Sequence, residues 1–162
     1  MPAQTGIDSL EFARTGQRLG GEVPIPGMTP LKESLHDGLG EVKFEVRGAQ
    51  DARGRPVLVL EIRGVLHLRC QRCLGLLEYP LSVSSTLLLA GPGAGDFEEE
   101  EADWIEAGSE LDVGGLVEDE IILGLPYSPR HEEGACRQAA GAQTHTAVTA
   151  FEKLAALKRQ SH

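Results

Sequence analysis

The amino-acid sequence predicts an α+β fold: an antiparallel β-sheet or partial barrel with a few covering helices and a flexible acidic loop. Three observations lead there. Between residues 41 and 89, three apolar or alternating runs are joined by short polar connections, the pattern of neighbouring antiparallel strands. Leu116, Val117, Ile121 and Leu123 recur at helical spacing. Residues 96–120 hold twelve acidic side chains and no basic one, and such like-charge blocks are usually solvated.

The elements follow in order. Residues 7–18 (IDSLEFARTGQR) suit a short helix, capped by Asp8 or Ser9 and stopped by Gly20-Gly21. Residues 20–40 are rich in Gly and Pro and read as a loop. In Glu41–Arg47, Val42, Phe44 and Val46 alternate with charged residues, as in a half-buried strand. Gly48–Pro56 is turn-rich. Val57–Ile62 and Val65–Leu68 form a second strand run, and Gly64 within it suggests a bulge or bend. Leu76–Leu89 is a third strand. AGPGAG followed by DFEEEEAD forms a linker and acidic run, with Trp104 and Ile105 placed to dock its end on the core. Asp112 can cap a helix over Val113–Gly124, which Pro126 ends. RQAAGAQTHTA (137–147) reads as a linker. Thr149 and Glu152 then form a capping box for a last helix, with Phe151 and Leu154 on its apolar face. The expected organisation is one α+β domain over 1–136, including an N-terminal helix and loop within 1–40, and a linker with a C-terminal basic helix over 137–162.

Composition narrows the function classes. The 162 residues include 41% hydrophobic ones, enough for a core, and no apolar run approaches a membrane span. The N-terminus lacks the layout of a secretory signal, and three cysteines form an odd set. A cytoplasmic protein with free thiols is expected. The net charge is −10 with an isoelectric point near 4.9, so RNA contact must be local, or the partner is a protein. Phosphate-cradling, dinucleotide, zinc-protease and nucleophile-elbow motifs are all missing. No catalytic centre, small-molecule substrate or membrane partner is expected.

One constellation stands out. Cys70 and Cys73 form C-x2-C, and His131 and Cys136 form H-x4-C, 57 residues further on. Cys3His is an ordinary ligand set for one structural zinc ion, and all three cysteines of the chain fall in these pairs. Two other readings stand beside it: cysteines buried as small apolar residues, and a redox pair, for which the βαβ context is missing. Arg53, Arg55, Arg63, Arg69 and Arg72 cluster in the strand region and suit phosphate, although arginines on a sheet also serve as solvated edge protection. Lys153, Lys158 and Arg159 give the last helix a basic end. Glu118, Asp119 and Glu120 point in different directions on a helix and read as a solvated face. His36, His67, His145 and His162 have no obvious partners, and His67 reads as a surface strand position.

Three blocks, LRCQRCL (68–74), LVEDEIILGLPYSPRHEEGAC (116–136) and FEKLAALKR (151–159), resemble the YceD family, the large ribosomal RNA subunit accumulation proteins of bacteria. The resemblance implies a role in synthesis, processing or stability of 23S ribosomal RNA, with ribosomal RNA or a ribosome-assembly protein as partner and no known catalytic activity. An adaptor that recruits a ribonuclease or assembly factor without touching RNA is the alternative.

Overall fold

A computed structural model describes residues 6–91 and 103–136. The chain begins with β1 (Gly6–Ile7), α1 (Ser9–Thr15) and β2 (Arg18–Glu22). A 3-10 turn (Ile25–Gly27) and α2 (Thr29–Ser34) follow, then the long strands β3 (Leu35–Gln50), β4 (Pro56–Arg69) and β5 (Leu76–Ala90). Short strands β6 (Trp104–Glu106) and β7 (Leu111–Asp112) lead into α3 (Val113–Gly124). The main sheet runs β2-β3-β4-β5-β6. Its first four strands are antiparallel, as expected, and β6 lies parallel to β5. The sheet is therefore mixed and open rather than a closed barrel, and β1 and β7 form a separate two-stranded pairing.

Alternation along the long strands decides which face is buried. The register places Val42 opposite Gly64, Phe44 opposite Ile62 and Val46 opposite Leu60. Val42, Val46, Leu58, Leu60, Ile62, Leu66, Leu68, Leu81 and Leu87 form the sheet's side of the core. The three helices supply the other side through Phe12 and Ala13, Leu31, and Leu116, Val117 and Ile121. The opposite sheet face carries Lys43, Glu45, Arg47, Glu61, Arg63 and Arg69, all exposed. The pairs Arg18–Glu45, Lys43–Glu22 and Arg63–Glu61 form there at 3.6–4.0 Å.

Helix α1 is shorter than expected. Asp8 caps it, but Gly16 ends it in the left-handed conformation (φ 63°), while Gly20 and Gly21 lie in β2. Residues 20–40 are not a plain loop, because Val23, Ile25, Met28, Leu31 and Leu35 bury their side chains and draw the Gly/Pro-rich segment into short elements. The bulge also moves. The register breaks between Leu35 and Gly40 in β3, where Gly38 and Gly40 have positive φ. Gly64 keeps its register, and glycine is needed there for close approach: a Cβ would lie 2.0 Å from the Glu41 carbonyl oxygen.

Helix α3 has its expected bounds, with Asp112 accepting from the Gly114 N–H. Leu123, however, is exposed. It falls in the last turn, where Gly124 rather than Leu123 meets β5, at Val83. Two of the three consecutive acids are not merely solvated: Glu118 accepts from the Leu31 N–H at 3.0 Å, and Glu120 accepts from the Ser85 hydroxyl. The Trp104–Ile105 segment does dock, through main-chain pairing with β5 and the packing of Ile105 on the core, while Trp104 stays half exposed. The loop beyond β6 is tied to α1 by buried Ser9, whose hydroxyl donates to the Gly108 carbonyl and accepts from the Gly108 N–H. The expected linker and last helix over 137–162, and most of the acidic run, lie outside the described residues.

Replacing Gly64 with Ala is expected to destabilise the protein by about 1–3 kcal/mol, because backbone must move to admit the methyl group. Replacing Gly27 with Ala, where a Cβ meets nothing within 4 Å, is expected to change stability by about 0.5 kcal/mol or less. Urea titration of both variants checks the contrast.

Candidate metal centre

The first half of the site is the turn between β4 and β5. The Cys70 N–H donates to the Gly75 carbonyl at 3.0 Å, and the Leu74 N–H donates to the Cys70 carbonyl at 2.9 Å. Leu74 completes the turn at φ 59°, a left-handed conformation that costs an L residue roughly 1–2 kcal/mol. Its side chain is 64% exposed, so burial does not offset that cost. This turn puts Cys70 fully inside and leaves Cys73 half-buried.

The second half is the segment after α3. The Gln71 N–H donates to the Pro129 carbonyl at 2.8 Å, seating the segment against the turn. The Ala135 N–H donates to the Glu132 carbonyl at 3.0 Å, and Gly134 takes φ 81°, which turns Cys136 back toward His131. His131 Nε2 lies 2.9 Å from the Leu76 carbonyl. A carbonyl only accepts, so Nε2 carries a proton, and in the neutral ring this leaves the Nδ1 lone pair facing the sulfurs. That nitrogen is 3.4 Å from Cys73 Sγ and 3.7 Å from Cys136 Sγ. Cys70 Sγ and Cys136 Sγ are 3.8 Å apart, too far for a disulfide. All four ligand atoms lie within 4.8 Å of one another.

These separations fit one tetrahedral zinc ion. Zn–S bonds near 2.3 Å and Zn–N bonds near 2.0–2.1 Å require S···S of about 3.8 Å and S···N of about 3.5 Å. The orienting bond from the far ring nitrogen to a carbonyl is the usual support of a metal-binding histidine. The Cys73 main-chain N–H, with those of His131 and Arg72, stabilises a Cys70 thiolate and holds its pKa down to about 5, against the burial that opposes it. Burial, then the neighbouring thiols, pushes Cys136 upward. With four protein donors the set is closed, leaving no open position for a reacting water.

The arginines of the strand region are not one cluster. Arg53 and Arg55 sit in the β3–β4 turn, where Arg55 Nε donates to Asp51 at 2.7 Å. Arg63 is on the open sheet face beside Glu61. Arg69 and Arg72 lie at the far end of β4, roughly 40 Å along the strand from the β3–β4 turn at ~3.3 Å per residue, and there they flank the cysteines. Lys153, Lys158 and Arg159 fall outside the described residues. His67 has a partner that sequence reading missed: its Nδ1 is 2.9 Å from Asp37. Thirty positions separate the two residues, and the register break in β3 that brings Asp37 there has no period-two signature. The Leu76 carbonyl had no signal either, since every residue has one. A cleft of about 420 Å³ between β2 and α3 is lined by Leu19, Met28, Phe44 and Val117. Of the carboxylates at its margin, Asp112 caps α3 and Glu118 holds α2.

Fold and site thus define an α+β protein in which a strand turn and a post-helical segment meet at a convergent Cys3His set. A family model described as large ribosomal RNA subunit accumulation protein YceD matches residues 58–158. That is more than half of the chain and includes both ligand pairs. The chain belongs to the YceD family. No curated protein and no solved structure matches it.

Replacing Leu74 with Gly is expected to keep the turn and raise stability by up to about 1 kcal/mol, since glycine enters the left-handed region freely. Urea titration against the parent chain, under one buffer condition, checks it.

Proposed function

We propose that this protein is a non-enzymatic accessory factor in the synthesis, processing or stability of 23S ribosomal RNA. In this reading it acts in the cytoplasm, and one structural zinc ion is held by Cys70, Cys73, His131 and Cys136. Family membership supports the ribosomal role. The observation that carries the rest is the closed ligand set, which suits a structural rather than a catalytic ion. Zinc here would hold three thiolates and one imidazole and fix the segment after α3 on the β4–β5 turn. Among the described residues, no helix is long and apolar enough to cross a membrane. The terminal Lys153, Lys158 and Arg159 form a second candidate contact.

The concentrated acidity of residues 96–120 favours one other reading, an adaptor that recruits a ribonuclease or assembly protein. A pull-down at low salt, read for both RNA and protein, separates the two.

Purified without chelator, the protein is expected to carry one zinc per chain, and chelation is expected to release it and raise the reactivity of three thiols together. Three freely reactive thiols with no metal overturn the zinc site. In cells, the double variant Cys70→Ser with Cys73→Ser is expected to lower the 23S to 16S RNA ratio. An unchanged ratio, in a strain where deletion of the whole gene lowers it, removes the site from the function.

A further inference from the structure

Each of three ligands at the metal centre directly follows an arginine: Arg69 precedes Cys70, Arg72 precedes Cys73 and Arg130 precedes His131. Consecutive Cα atoms are about 3.8 Å apart, and the ligand atoms converge within 4.8 Å. Closing the site therefore gathers three guanidinium groups from two distant parts of the chain onto one end of the molecule. All three residues are exposed. Arg18, Arg55 and Arg63 each pair with a carboxylate, whereas among the described residues Arg69, Arg72 and Arg130, like Arg14 and Arg47, form no ion pair. Tyr127 lies two residues before Pro129, which is bonded to the turn, and its side chain is wholly exposed. Leu74 stands exposed at the tip of the same turn, in a conformation that glycine would adopt with less strain. Backbone strain retained for an exposed side chain suggests a contact made by that side chain.

We infer that this end is an RNA-contact surface, on which Arg69, Arg72 and Arg130 bind the phosphates of a single-stranded segment and Tyr127 stacks on one base. The inference rests on the ribosomal RNA reading above and supplies the surface for it. Guanidinium groups bind phosphate bidentately, and an unstacked base offers the π-face that an exposed phenol can cover. One aromatic makes one stacking contact, consistent with the seven aromatics of the whole chain. A helical RNA surface would give Tyr127 no splayed base. The carboxylates at this end include Glu132 and Glu133, both exposed in the ligand loop, and exposed Glu78 on β5, two residues from the register partner of Arg69. They oppose phosphate and hold binding in the moderate, salt-sensitive range.

The test uses the zinc-loaded full chain and a short fluorescein-labelled single strand of 23S sequence, titrated at several salt concentrations. Arg69→Gln, Arg72→Gln and Arg130→Gln together are expected to weaken binding at least tenfold. The slope of log affinity against log salt should become shallower by about 2, three phosphate contacts fewer on a single strand. Tyr127→Ala is expected to cost at least fivefold with the slope unchanged. Glu132→Gln with Glu133→Gln is expected to tighten binding, a gain that misfolding cannot produce, and zinc content verifies each variant. Arg63→Gln is expected to bind as the parent does. If the parent binds and the triple variant binds equally well, the surface is wrong while the ribosomal reading stands. A parent chain that binds no RNA at low salt overturns direct contact, and the cellular 23S ratio then judges the ribosomal role alone. Capture of a protein instead, lost in the triple variant, overturns RNA as the occupant.

Discussion

The junction between the Cys70–Cys73 turn and the segment ending at Cys136 is the constraint on which the rest depends. Two stretches separated by 66 positions meet at a point where Cys70 is fully buried and His131 is already oriented by the Leu76 carbonyl. Among the described residues, the second segment is fixed by the Gln71–Pro129 and His131–Leu76 bonds and by the His131 main-chain N–H at the Cys70 sulfur. A hydrogen bond contributes about 0.5–1.5 kcal/mol net. A cross-link that closes a loop of this length restricts the unfolded chain by about 4 kcal/mol in the chain-entropy model. On these magnitudes an ion bound by the four side chains would outweigh the hydrogen bonds in holding the segment, and metal binding would become part of folding.

The sheet explains why the site sits at an end rather than on a face. One face is consumed by the core and its three helices. The other carries exposed ion pairs between neighbouring strands, Arg18–Glu45 and Lys43–Glu22, and within β4, Arg63–Glu61, and pairs so exposed contribute little stability. The β4–β5 turn escapes both fates. Its Arg69 and Arg72 are exposed and form no ion pair among the described residues. A protein of net charge −10 can meet RNA only through such a local patch.

Much of this was legible in the residues. The three long strands were visible because Val42, Phe44 and Val46 alternate with charged residues and because Val57–Ile62 and Leu76–Leu89 are apolar runs bounded by short polar connections, and α3 because Asp112 and Pro126 bracket a helical stripe. The convergence of Cys70, Cys73, His131 and Cys136 was legible because all three cysteines of the chain fall in two close pairs. Residues 20–40 misled, since glycine and proline report local conformation and not the burial of Val23, Ile25 and Leu31 by tertiary contacts. Gly64 misled as well, since it keeps its register, and a glycine that makes room for a neighbouring backbone looks the same as one that forms a bulge. The grouping of Arg69 and Arg72 with Arg53 and Arg55 followed sequence proximity, whereas a strand of 14 residues carries them to opposite ends. Arg130 went unnoticed because its neighbours across the site are remote in sequence, although its place directly before His131 repeats the pattern at both cysteines.

Zinc K-edge X-ray absorption of the purified chain tests the shared site most directly. Three sulfur scatterers near 2.3 Å with one nitrogen at about 2.0–2.1 Å are the result this account predicts, with the nitrogen lost from the shell in His131→Ala. A shell of oxygen and nitrogen alone, or one left intact when His131 and Cys136 are both replaced, would contradict it.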